Sequence, residues 1–222
     1  GTGYFFYDLT AKINYDISDS DKLYLSGYFG RDVFSFAQGD NGFEAKIPWG
    51  NATSSLRWNH LISEKMFVNT SLIFSDYDFS FGITQSEFEL VLFSGVRDFN
   101  TKVDFNYYPS VRHNVKFGIN HIYHAFTPSS SSAKQGDIVF NTGEIINQYA
   151  HESAAYINDE FSLTEKLKVN AGLRLSMFNH VGPFTRYTKD NVGSITGEIK
   201  YAGGELIKTY HGLEPRLSMR YV

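Results

Sequence analysis

A chain of 222 residues with a formal net charge of -4 has no long-range attraction for nucleic acid, and no Lys/Arg cluster supplies one locally, so a nucleic-acid partner is excluded. Zero cysteines exclude a disulfide framework and a thiolate zinc site. Aromatic residues make up 17%, carried by 20 Phe, 15 Tyr and 2 Trp, which favours strands; no apolar run is long enough for a transmembrane helix.

Tyr7, Leu9, Ala11, Ile13, Tyr15 and Ile17 alternate with Asp8, Thr10, Lys12, Asn14 and Asp16, which predicts a strand with one oily and one wet face. Ser18, Asp19, Ser20 and Asp21 then supply turn chemistry. Further tight polar turns are expected near Ser63, Ser110 and Thr164. Between them the Gly-, Ser- and Asn-rich stretches 30–48, 80–95, 126–148 and 181–211 are expected as long connections. In the first, Gly39 to Glu44 offers Asp40, Asn41 and Glu44 as oxygen ligands but lacks the spacing of a calcium loop, so an ordinary turn is expected. In the third, Ser129 to Ser132 reads as a flexible loop tip.

Phe99, Thr101, Val103, Phe105 and Tyr107 oppose Asn100, Lys102, Asp104 and Asn106 in the same manner, and Val115, Phe117, Ile119 and Tyr123 oppose Lys116, Gly118 and Asn120. Leu167 to Met177 repeats the pattern, as does Leu213 to Tyr221, with Pro215 expected near the start of its strand. Nine strands in up-and-down order follow, with short and long connections alternating.

Period two does not say which face is inside. Strands of eleven residues or more exceed the 5–6 typical of soluble sheets and match the 9–11 needed to cross a bilayer at a tilt. Tight turns on one rim and long loops on the other are the pattern of outer-membrane barrels, and Tyr15, Phe67, Tyr107 and Tyr123 at strand ends suit interfacial girdles. The fold expected is therefore all-β: an antiparallel up-and-down transmembrane β-barrel, with residues 1–222 forming part of a single outer-membrane barrel domain. Nine strands would leave two open edges in lipid, so the chain is expected to be a slice of a larger barrel.

Ala154 to Phe178, AAYINDEFSLTEKLKVNAGLRLSMF, followed by Leu213 to Tyr221, LEPRLSMRY, resembles the descending strand, turn, ascending strand and EPR strand of TonB-dependent outer-membrane receptors. The stretches YDLTAKINYDISDSDKLYLSGYFGRDVF and WGNATSSLRWNHLISEKMFVNTSLIFSDYDF look like the Bacteroidota branch of that superfamily, the carboxypeptidase-regulatory-like and SusC-related one. The resemblance spans the chain. It implies a Gram-negative outer-membrane location and a 22-stranded barrel, of which these would be about nine strands. It also implies a plug domain inside the barrel, contact with the TonB complex through an N-terminal region, and energised uptake of a large scarce ligand such as a glycan, peptide, siderophore or vitamin. A surface lipoprotein partner follows only by analogy with SusC-like receptors. The plug, the TonB-contacting region and the remaining strands are not in this sequence.

In such a receptor Phe43, Trp49, Phe126, Phe184, Arg186 and Tyr187 are the ligand-vestibule candidates, since stacking and polar contacts suit sugars, peptides or chelates. Arg57, Lys102, Arg174, Glu214, Arg216 and Arg220 would face the lumen and plug, because a basic residue at the bilayer midplane costs about 2–4 kcal/mol. His121 and His124 are three apart and point to opposite strand faces, so no shared metal is expected. No nucleophile elbow or phosphate loop is present, so neither enzyme activity nor a cofactor is expected. The alternatives are a non-transporting outer-membrane barrel with an adhesive or structural role, and a soluble glycan-binding β-sandwich.

Overall fold

The computed structural model describes residues 1–39, 42–140 and 146–221; the candidate oxygen ligands Asp40 and Asn41 lie outside the described residues. The strands are β1 (Thr2–Asp16), β2 (Asp21–Gln38), β3 (Phe43–Ser63), β4 (Met66–Gln85), β5 (Phe88–Ser110), β6 (His113–Gln135), β7 (Ile138–Phe140), β8 (Gln148–Ser162), β9 (Leu167–Val181), β10 (Phe184–Lys189), β11 (Ile195–Tyr201) and β12 (Leu206–Tyr221). One antiparallel sheet runs β1-β2-β3-β4-β5-β6-β8-β9-β12, with β7 appended to β6, and β10 and β11 form a separate hairpin. The nine main strands thus follow chain order as expected. They form one continuous layer, not the two packed layers of a sandwich.

Each lower turn is closed by a side-chain hydroxyl. The backbone N–H groups of Ser20, Lys65, Arg112 and Lys166 donate to the Ser18, Ser63, Ser110 and Thr164 oxygens two residues earlier, at 3.2 or 3.3 Å. Ser and Thr favour turns for this reason, because the oxygen replaces a backbone acceptor.

The upper connections differ from expectation. Residues 30–38, 43–48, 80–85 and 88–95 are not loops: β2 and β3 run on as paired strands as far as Gln38 and Phe43, and β4 and β5 as far as Gln85 and Phe88. The stretch 126–148 is likewise paired as far as Gln135, so the run Ser129–Ser132 is not a loop tip; Ser130, Ser131 and Ser132 oppose Phe93, Leu92 and Val91. In 181–211 the chain forms the β10–β11 hairpin and returns in β12, which starts at Leu206 and leaves Pro215 in mid-strand. There Pro215 lies opposite Leu173 of β9.

Cross-strand register sorts the side chains into two faces. On one face the rows Ile13–Leu25–Leu56–Leu72 and Ile119–Ala155–Leu175–Leu213 carry only apolar side chains. This face is open: Leu9 is 68% exposed, Ile119 59% and Leu217 66%. Between its margins no Lys, Arg, Asp or Glu occurs among the described residues; Asp21, Asp159, Arg97 and Asp76 stand at its edges. Tyr15, Tyr107 and Tyr123 lie on it, whereas Phe67 falls on the opposite face and stacks on Tyr108 at 6.4 Å. Parity explains that correction, since Phe67 pairs with Asn106.

Above this band the phase of the alternation inverts. At the row Tyr7–Arg31–Gly50–Asp78–Gly95 the formerly apolar face becomes polar, with Arg31 held to Asp78 at 3.1 Å. On the opposite face Phe6, Trp49 and Phe79 appear in one row and Tyr4, Phe34 and Ile47 in the next. Strands of 18–23 residues in β2–β6 exceed the length a bilayer needs. The surplus is this extension, whose sidedness is set independently of the band below.

Candidate functional site

Opposite the apolar band the same strands present a polar face, and there the register assembles one network across five strands. Asp98 (β5), His124 (β6), Glu152 (β8), Arg174 (β9) and Glu214 (β12) follow one another along a diagonal. His124 Nδ1 is 2.8 Å from Asp98 Oδ1 and its Nε2 is 3.7 Å from Glu152 Oε2. Arg174 reaches Glu152 at 3.5 Å and Glu214 at 3.8 Å. The Ser176 hydroxyl donates to Glu214 at 2.8 Å, and Arg216 adds a 3.4 Å contact to the same carboxylate. His124 is buried beneath the ring of Phe126, 5.2 Å away. The half-buried charges of Glu152, Arg174 and Glu214 are stabilised by the fixed partners they meet, and removing one leaves the rest uncompensated.

All six lumen candidates share this face by register. Arg57, Ser71 and Lys102 occupy one row, Arg174 and Glu214 are directly paired, and Arg216 and Arg220 follow at even spacing along β12. Arg174, Glu214 and Arg216 come together, and with Lys102 and Lys116 three of the four cations around a hollow of about 330 Å³ are Lys102, Arg174 and Arg216. Arg57 lies over the Tyr24 ring at 4.5 Å, and Arg220 stands apart near the lower rim opposite Lys168. Buried polar atoms without a partner among the described residues concentrate here too: the side-chain oxygens of Asn51, Asn100, Asn114 and Asn120, and Nε2 of His180. Such atoms cost about 1–3 kcal/mol each when left unpaired.

The vestibule candidates do not form one cluster. Phe43 and Trp49 lie on β3 and Phe126 on β6, all on the polar-face side of the sheet; Phe184, Arg186 and Tyr187 lie on β10, where Arg186 pairs with Ile199 and Tyr187 with Glu198 on opposite faces of the hairpin. Trp49 instead stacks on Tyr4 at 6.3 Å, and Tyr4 lies 6.0 Å from Phe6. The Tyr4 hydroxyl donates to Asp32, and that bond holds the phenol pKa above its ordinary value. Tyr4, Phe6, Phe34 and Phe36 were not singled out from sequence. The signal was present in GYFGRDVFSF, where Phe29 falls on one parity and Phe34 and Phe36 on the other.

His121 and His124 do fall on opposite faces. His121 lies on the apolar side, with Nδ1 2.9 Å from the Ser153 hydroxyl and Nε2 3.3 Å from His151.

No protein-family model and no curated protein sequence matches the chain. Among solved structures it is similar to the copper transporter OprC, with a TM-score of 0.67 at 11% identity over 98% of this chain and 35% of that one. It is also similar to the ferric-catecholate import receptor Fiu from E. coli K12, in its open form with a TM-score of 0.44 at 12% identity over 98% of this chain and 50% of that one. For the closed form the values are 0.37, 13%, 98% and 46%. The chain therefore spans about a third of the length of OprC. Its nine-strand antiparallel order and its superposition on that transporter give it the fold of a segment of OprC.

Proposed function

We propose that the chain is part of the barrel of an energised outer-membrane uptake receptor, with its apolar face against lipid and its polar face lining the lumen around a plug domain. The observation that carries this reading is the pairing of two faces in one sheet. An uncharged, open apolar band lies back to back with a network running from Asp98 to Arg216. An apolar face of this size in water is unfavourable at about 25 cal/mol per Å², whereas in a bilayer it is the required surface. Around the hollow formed by Lys102, Lys116, Arg174 and Arg216, three of the cations already meet Asp104, Glu152 or Glu214, so the polar face offers a plug both signs of charge.

In this reading Arg57, Lys102, Arg174, Glu214 and Arg216 are positioning residues for the plug, and the upper extension is the extracellular vestibule that meets the ligand. The test is to express the complete reading frame in a Gram-negative host and assay heat-modifiable mobility in the outer-membrane fraction, then growth on candidate nutrients with and without TonB. Residence in the outer membrane with TonB-dependent growth supports the proposal. A soluble product overturns it outright; residence in the outer membrane with growth indifferent to TonB overturns the uptake reading and favours an adhesive barrel.

A further inference from the structure

The phase inversion above the apolar band gives the extension a wall of unusual chemistry. From the row Phe6–Asp32–Trp49–Phe79 upward, the inward side of β1–β5 presents Tyr4, Phe6, Phe34, Trp49, Phe81 and Leu92 among its large side chains. None of these is buried; Tyr4 is 56% and Phe6 64% exposed. Over the same height on β1–β6 the charges stand on the other side of the sheet: Arg31, Glu44, Lys46, Asp78, Glu89 and Lys134. The inward side carries one charged residue among the described residues of these strands, Asp32, and its carboxylate already accepts the Tyr4 hydroxyl.

This asymmetry selects an occupant by exclusion. An anionic chelate or phosphate needs a cation or a nest of N–H donors, and this wall has no Lys or Arg. A glycan has many hydroxyls, each needing a partner once desolvated, and aliphatic Ile47, Ile83, Leu90 and Leu92 interrupt the aromatic surface with groups that offer none. What the wall can satisfy is apolar side chains, packed against aromatic and aliphatic neighbours along extended strands. Contiguous apolar surface of this extent on a water-exposed extension marks a binding surface.

We infer that this wall, in the receptor proposed above, binds a peptide cargo presenting uncharged, apolar side chains. The inference rests on that receptor reading for the word cargo, but the binding itself does not.

The test is isothermal titration of the purified full-length receptor with three probes: a leucine- and phenylalanine-containing tetrapeptide blocked at both ends, a neutral linear oligosaccharide and a ferric tris-catecholate. The peptide is expected to bind at least tenfold tighter than either of the others. Phe6→Ser combined with Phe34→Ser should weaken it at least tenfold, whereas Arg31→Ala, on the other side of the sheet, should leave it within twofold. Heat-modifiable mobility of each variant reports that the barrel is folded. Tighter binding of the catecholate or the oligosaccharide overturns the inference. Equal peptide affinity in the wild type and the double variant also does, because the wall is then covered by other parts of the receptor. If the peptide binds through these residues while growth is indifferent to TonB, the transport reading falls and the binding inference stands.

Discussion

His124 and Asp98 are joined across β5 and β6 through a 2.8 Å contact between Nδ1 and Oδ1, deep on the polar face under Phe126. Asp98→Ala removes the acceptor and leaves the imidazole N–H without a partner. The expected loss is about 1–3 kcal/mol. It would be read as a lower urea midpoint for the protein folded in lipid vesicles, and an unchanged midpoint would show that water replaces the carboxylate.

Arg174 serves two carboxylates at once, Glu152 and Glu214, while Arg220 has no ion-pair partner among the described residues. Arg174→Ala is expected to destabilise by about 1 kcal/mol, since its partners are only half buried, and Arg220→Ala by less than about 0.5 kcal/mol. A double-mutant cycle of Arg174→Ala with Glu214→Gln checks the origin. Coupling indistinguishable from zero would remove the pair from the network.

Leu217 and Ser218 are adjacent on β12 and face opposite ways, opposite Ala171 and Asn170. If the apolar face meets lipid, Leu217→Arg should cost about 2–4 kcal/mol and Ser218→Arg close to nothing. Folding equilibria into bilayers measure both. Equal costs would mean that neither face contacts lipid.

Gly118 on β6 leaves no room for a side chain: a Cβ there would come within 2.2 Å of the Val103 carbonyl oxygen and 2.9 Å of the Tyr156 hydroxyl. The Tyr156 ring occupies that space. Gly118→Ala must displace backbone of β5, and an expected loss of about 1–3 kcal/mol follows from overpacking. Tyr156→Ala in the same background should recover little, because the carbonyl contact remains; full recovery would place the strain on the ring alone.

The nine main strands and the four lower turns were legible because alternation and hydroxyl-bearing turn residues are local signals. Ser18, Ser63, Ser110 and Thr164 each act within two residues. The upper extension was not, because its alternation is out of phase with the strand below. In β2, Leu23, Leu25 and Phe29 share one face, whereas Phe34 and Phe36 occupy the other, and Gly and Ser between them mimic a loop. The charges of the polar face were legible one by one from their parity. Their pairing was not, since Ser176 meets Glu214 across 38 residues of sequence and only the register brings them together.

Register has a consequence for depth. The row that begins at Ile13, close to the lower end of β1, passes through Leu56, Thr101 and His121 to Met177 and His211, far up strands that start at Leu167 or descend from Leu206. Strands tilted in a barrel produce such a climb. Lateral neighbours therefore do not share a level: if the apolar face meets lipid, a charge introduced along this one row would meet hydrocarbon at Leu56 and the headgroups by His211, so a mutational scan of that face has to count height from the Ser and Thr turns, not across the sheet.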